Sequence, residues 1–119
     1  MSQFGDYIRQ RRSELQEQHG PQHYSLRRVA ADAGVEPSYL SKIERGLQPP
    51  PGEAMIMRLA KALDEDADVL LALAGKVSEE VQNIIRKRPR LFSQLIRELK
   101  DWPDQAVLRL VREVRDGIW

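Results

Sequence analysis

"SLRRVAADAGVEPSYLSKIERG", residues 25–46, carries two apolar rhythms at helical spacing: Leu26, Val29, Ala30 and Ala33, then Leu40 and Ile43. A glycine and a proline stand between them. The first set follows the i, i+3, i+4, i+7 pattern of a helix face, Ser25 is a good N-cap, and Gly34 has the backbone freedom to end the helix. Glu36 precedes Pro37 and is biased away from helix, whereas Pro37 suits a first helical turn, so a second short helix starts there and Gly46 closes it. At about 100° per residue, turning Leu40 and Ile43 inward leaves Ser38, Lys42 and Arg45 on the opposite face. Two short helices at a tight turn can sit on a duplex so that the first crosses the backbone and the second enters the major groove. The outward stripe then offers a hydroxyl, an ammonium and a guanidinium to base edges and phosphates.

Before this stretch a helix is predicted over about residues 3–18, with Phe4, Ile8 and Leu15 on one side and its end forced by Gly20-Pro21. "HGPQHY" is a loop. After the stiff "LQPPP" connector, residues 52–63 form a fourth helix burying Met55, Ile56, Leu59, Ala60 and Leu63. A fifth follows an acidic start at residues 66–68, buries Val69, Leu70 and Leu73, and stops at Gly75. Ser78 begins a sixth, reaching roughly Arg88 before Pro89 interrupts it. The seventh carries Leu91 or Phe92, then Leu95, Ile96 and Leu99; Trp102-Pro103-Asp104 turns the chain; the eighth shows Val107, Leu108, Val111, Val114 and Ile118. No strand alternation or internal repeat stands out. The expectation is an all-α chain: a five-helix domain over residues 1–75, then about three C-terminal helices over residues 76–119.

The 119 residues suit one compact domain with a helical appendage. No apolar run approaches the roughly 18–20 residues of a membrane span, and "MSQFGDYIRQRR" has no apolar signal core, so a cytoplasmic protein without membrane attachment is expected. Cysteine is absent, which removes disulfides and thiol chemistry. His19 and His23 flank Gly20-Pro21 with no further ligand cluster nearby, so no metal is expected, and no cofactor. Ser25, Ser38 and Ser41 have no His or Lys placed to activate them, so no enzyme is expected. Net charge is only +1, and whole-chain charge points to no nucleic acid; between residues 7 and 61, however, Lys and Arg exceed Asp and Glu.

On "IRQRR" in the first helix, the quoted stretch, "PGEAMIMRLAKAL" in the fourth and "DVLLALA" in the fifth, the chain resembles the Xre, or phage-repressor-like, helix-turn-helix family of transcriptional regulators. The resemblance covers roughly residues 4–75, with Val29-Ala30, Gly34, Tyr39-Leu40, Ile43-Glu44, Gly46 and Leu59-Ala60 in register. It implies a five-helix repressor-like domain, a homodimer and an inverted-repeat operator on double-stranded DNA. Carried over residue by residue, it implies base contacts from Pro37, Ser38 and Lys42, with Ser41 and Tyr39 flanking and Arg45 near phosphate. Helix termini around Ser25-Leu26 and Gly52 would offer N–H groups to phosphates. Glu36 stands where a small hydroxyl cap is usual, so it is either a poor cap or an acceptor for a cytosine amino group. The resemblance also pairs Glu44 with Arg12 in a structural ion pair, and makes the loop before the second helix about seven residues longer than usual.

Bland readings compete at several positions. Arg27 and Arg28 lie off the apolar face, and phosphate contact and plain solvation stand equal. Tyr39 is read as packing at the core edge with its hydroxyl near phosphate. "RKRPR", residues 86–90, is read as a solvated helix end. The C-terminal apolar residues exceed what two or three small helices can bury among themselves. Phe92, Leu95, Ile96, Leu99, Trp102, Val107, Val111 and Val114 are therefore expected to form a homodimer interface, the alternative being that these helices fold back on the first domain. The expected function is a sequence-specific transcriptional regulator, a repressor rather than an activator. The rival reading is a protein-interaction module, an antitoxin or adaptor gripping a partner such as a toxin.

Overall fold

The computed structural model describes residues 3–117, and its elements are all helices. Ile118 of the eighth apolar pattern and the terminal Trp119 lie outside the described residues. The chain divides into two units, Met1–Ser78 and Glu79–Trp119.

The first unit holds α1 (Gln3–His19), α2 (Leu26–Ala33), α3 (Pro37–Glu44), α4 (Glu53–Ala62) and α5 (Ala67–Leu73). Helix α1 runs to His19, leaving a connector of residues 20–25 that is tied back by Gln16 Nε2 donating to the Pro21 carbonyl at 2.6 Å. Ser25 Oγ caps α2 by accepting from the Arg28 N–H at 3.1 Å. Gly34, at φ +73°, ends it in the left-handed region that a side chain at Cβ disfavours. Pro37 opens α3, where its missing N–H is not needed.

Helix α2 packs against α3 and α4, and α1 packs against α3 and α5. The shared core contains Phe4, Ile8, Val29, Leu40, Ile43, Ile56, Leu59, Leu63, Leu70 and Leu71, all fully buried. Each large apolar side chain so buried contributes roughly 1.5–3 kcal/mol before the entropy of ordering it. Ala30 and Ala33 are also fully buried, so α2 presents small side chains to its neighbours. Two arginines then satisfy helix-end carbonyls from a distance. Arg58 Nε on α4 donates to Ala33 O at 3.0 Å, and Arg11 on α1 donates to Leu63 O and Asp64 O at 3.1 and 2.9 Å.

One core expectation fails. Val69 is 40% exposed, and Leu71 is buried in its place beside Leu70, while Leu73 is only half-buried. The α5 run is apolar almost all round, so packing rather than a one-sided pattern selects the inward face, while Asp66 Oδ1 caps the helix start by accepting from the Asp68 N–H at 2.8 Å.

The second unit holds α6 (Glu79–Lys87), α7 (Pro89–Leu99) and α8 (Asp104–Asp116), with α6 packed on α7. Among its described residues none is buried. Lys76 still belongs to the first unit: its N–H donates to Leu71 O at 2.8 Å and its Nζ to Pro51 O at 2.9 Å. Among the described residues, no helix is long and apolar enough to cross a membrane.

Candidate nucleic-acid interface

Helix α3 is divided lengthwise. Leu40, Ile43 and Glu44 are buried, while Ser38 and Lys42 on the helix and Arg45 just after it are exposed; Pro37, Tyr39 and Ser41 are half-buried between the two faces. The division follows from rigid attachment of the inner face. Leu40 and Ile43 sit in the core, and Glu44 is held by Arg12, whose Nε and Nη2 donate to the two carboxylate oxygens at 2.9 Å each. A two-pronged pair of this kind fixes orientation as well as distance. The outward face is thereby presented in one geometry.

On that face Lys42 has no carboxylate partner among the described residues, so its ammonium is free for an external acceptor. Arg45 folds back so that Nε donates to Ser41 O at 3.4 Å, which leaves its terminal nitrogens available. Glu36 is exposed and makes no capping bond to α3, so its carboxylate is not used by its own helix. Cationic forks and ammonium groups are suited to guanine edges and phosphates, and a free carboxylate to a cytosine amino group.

The flanking positions differ in what they have to spare. The Ser25 hydroxyl is already used as the α2 cap, and Leu26 is half-buried against the core. Arg27 is exposed without a carboxylate partner among the described residues, whereas Arg28 Nε lies 3.6 Å from Asp32 Oδ2 one turn along α2. Gly52 is exposed at the N-cap of α4 and, as a glycine, supplies no side-chain cap there. In the second unit Leu95, Ile96, Trp102, Val111 and Val114 are exposed, and Phe92, Leu99 and Val107 are half-buried.

Several positioning residues have no signature in the sequence reading. Arg58 and Arg11 act on carbonyls far along the chain, so no local pattern reveals them. Tyr7 donates to Glu65 Oε2 at 2.6 Å, tying α1 to the start of α5; that bond lowers the Glu65 carboxyl and raises the Tyr7 hydroxyl from their ordinary pKa values. Gly5 did leave a signal, a glycine inside a helix, which often marks close backbone approach. A Cβ there would overlap the Ile43 carbonyl oxygen and lie 2.9 Å from Glu44 O, so α1 crosses the end of α3 with no room for a side chain.

Residues 3–73 match the family model described as "Helix-turn-helix domain". The chain is also similar to the uncharacterized HTH-type transcriptional regulator Rv0474 of Mycobacterium tuberculosis, at 38% identity over 71 residues that cover 60% of this chain and 45% of the relative. It is 36% identical to the HTH-type transcriptional regulator SinR of Bacillus licheniformis over 69 residues, covering 53% of this chain and 62% of the relative. The match thus spans less than half of the mycobacterial relative. No solved structure matches. A matched model spanning more than half of the chain, all five helices of the first unit and an α2–turn–α3 pair whose second helix is locked to α1 by Arg12 and Glu44 together make the chain a member of the Xre-type helix-turn-helix family.

Proposed function

We propose that the chain is a sequence-specific DNA-binding transcriptional regulator, a repressor that holds an inverted-repeat operator as a homodimer in the cytoplasm. The observation that carries the reading is the lengthwise division of α3, with a core-anchored inner face and an exposed Ser38, Lys42 and Arg45. Base contacts fall to Glu36, Pro37, Ser38, Ser41 and Lys42. Phosphate contacts fall to Ser25, Leu26, Arg27, Arg28, Tyr39, Arg45 and Gly52. The relatives, named as HTH-type transcriptional regulators, support the assignment. Selection of bound sequences from random duplexes, with the full chain and at stated salt, tests it. Enrichment of one palindromic sequence is expected; a recovered pool as random as the input would overturn the reading.

Dimerisation is assigned to the second unit, because an inverted repeat needs two recognition helices about 34 Å apart and these helices bury nothing among their described residues. The same observation favours a second reading, in which the apolar faces of α6 to α8 grip a partner protein such as a toxin. Sedimentation of the pure full chain separates them. A dimer at micromolar concentration supports the operator-binding homodimer, whereas a monomer supports the partner-gripping module.

A further inference from the structure

A cleft of about 680 Å³ opens in the first unit, lined from the end of α1, the connector to α2, α2 itself and α4, with no residue of α3 in its wall. Its volume falls in the range of small-molecule sites, roughly 300–1,000 Å³. Arg28, Arg58 and Lys61 bring three cations to it against one carboxylate, Asp32. Asp32 lies 3.6 Å from Arg28, so Arg58 and Lys61 have no carboxylate partner among the described residues.

Of these two cations Arg58 is anchored and Lys61 is free to adapt. They stand three residues apart on α4, hence as neighbours on one helix face. Arg58 Nε is fixed by the Ala33 carbonyl at 3.0 Å, which leaves the two terminal nitrogens of the guanidinium without a protein acceptor among the described contacts. An anchored fork beside a flexible ammonium suits a phosphate group, the fork binding two oxygens and the ammonium acting as a point charge. The His19 and Tyr24 rings, 5.6 Å apart and tilted by 45°, supply an aromatic wall for the remainder of the ligand.

We propose that this cleft binds a small phosphorylated molecule, with Arg58 and Lys61 holding the phosphate. The site shares no residue with the outward stripe of α3, only Arg28 with the proposed phosphate contacts, and stands whether or not that stripe binds DNA. Inorganic pyrophosphate titrated into the full chain, followed by amide chemical shifts at constant ionic strength, is the test. Saturable one-site binding is expected, with shifts centred on Arg58, Lys61 and Ala33. Lys61→Gln should weaken it by about tenfold, the loss of one charge-assisted contact, while Lys100→Gln in the second unit should not change it. Lys61 is the decisive position, because its ammonium makes no bond among the described residues and its removal leaves the Arg58 cap on α2 in place. Absence of saturation by about 10 mM, a far weaker affinity than a built site gives, would overturn the proposal. So would unchanged binding in Lys61→Gln. A Lys61→Gln chain that loses duplex affinity but keeps pyrophosphate affinity would likewise overturn it, making the cleft part of the DNA surface.

Discussion

Arg12 on α1 and Glu44 at the end of α3 are locked in a two-pronged ion pair, with both N···O distances at 2.9 Å and Glu44 only 4% exposed. Arg12 Nη1 also donates to Tyr24 O at 3.4 Å, so one guanidinium joins α1, the connector before α2 and the last turn of α3. The pair therefore sets the angle at which α3 leaves the core. A buried ion pair contributes little net stability over an apolar substitute, but stranding one member is costly.

Glu44→Ala should accordingly destabilise the fold by about 3–5 kcal/mol, since it leaves Arg12 partly buried without a counter-charge. Replacing both, as Arg12→Met with Glu44→Leu, should cost less than the single change. Thermal melting of the two variants checks this. A single variant that melts with the parent would show that the pair does not hold the helices together.

Gly5→Ala pits two effects against each other. Alanine is the better helix former by about 1 kcal/mol, but its methyl would overlap the Ile43 carbonyl oxygen. Because the obstacle is backbone at the end of a packed helix, overpacking of about 1–3 kcal/mol or more should win. A lower urea midpoint at unchanged slope is the expected result. A higher midpoint would mean that α1 slides aside at no cost.

The Tyr7–Glu65 hydrogen bond gives stability a dependence on pH at both extremes. Glu65 is lowered from 4.5, chiefly by the Tyr7 hydroxyl and then by the Asp66 N–H, so its contribution is present above pH 4.5 and is lost as pH falls through the depressed value. Tyr7 is raised from 10.0, chiefly by the bond to Glu65 and then by burial, so its contribution is present below pH 10.0 and is lost as pH rises through the raised value. Tyr7→Phe should be less stable near neutrality and show shallower losses at both ends. Urea midpoints measured across pH check it, and parallel curves for parent and variant would contradict it.

Lys42→Ala and Arg45→Ala should fail differently on DNA. Loss of a base contact by Lys42 is expected to cost about 1–3 kcal/mol on the selected operator and to change the preferred sequence. Loss of a phosphate contact by Arg45 should weaken operator and random duplex alike and lower the salt slope by about one. Binding isotherms on both duplexes at several salt concentrations distinguish the roles. Equal losses on the two duplexes for Lys42→Ala would move it to the phosphate class.

The core register was legible where a helix is one-sided. In α2 and α3, polar residues separate Val29, Ala30, Ala33, Leu40 and Ile43, so only one rotation buries them, and all five are buried. In α5 the run "DVLLALA" is apolar almost all round, so several rotations look equivalent; the one adopted buries Leu71 and exposes Val69. The outward position of Ser38, Lys42 and Arg45 could be read for the same reason as the core of α3. What could not be read are the bonds that tie the other helices of the first unit together, because Arg58 reaches Ala33 and Arg11 reaches Leu63 across 25 and 52 residues.

Removal of residues 79–119 should leave the first unit folded. The first unit contains the buried core, its helix caps and the Arg12–Glu44 pair, and Lys76 closes it by bonding back to Leu71 and Pro51. Nothing in that list comes from α6, α7 or α8, so residues 1–78 should fold alone with a cooperative melt. The removed unit buries no described residue, while Leu95, Ile96, Trp102, Leu108, Val111 and Val114 are each more than two-fifths exposed. Apolar faces of that kind drive association because covering them releases water, at about 25 cal/mol per Å². If the homodimer reading is right, residues 1–78 should sediment as a monomer at micromolar concentration. A full operator should then be bound far more weakly than by the intact chain, since two half-sites are no longer engaged by one particle. A single half-site should be bound about as before, because α3 and its supports remain whole. A truncated chain that still sediments as a dimer and holds the full operator undiminished would remove dimerisation from α6 to α8 and leave their apolar faces to a different protein.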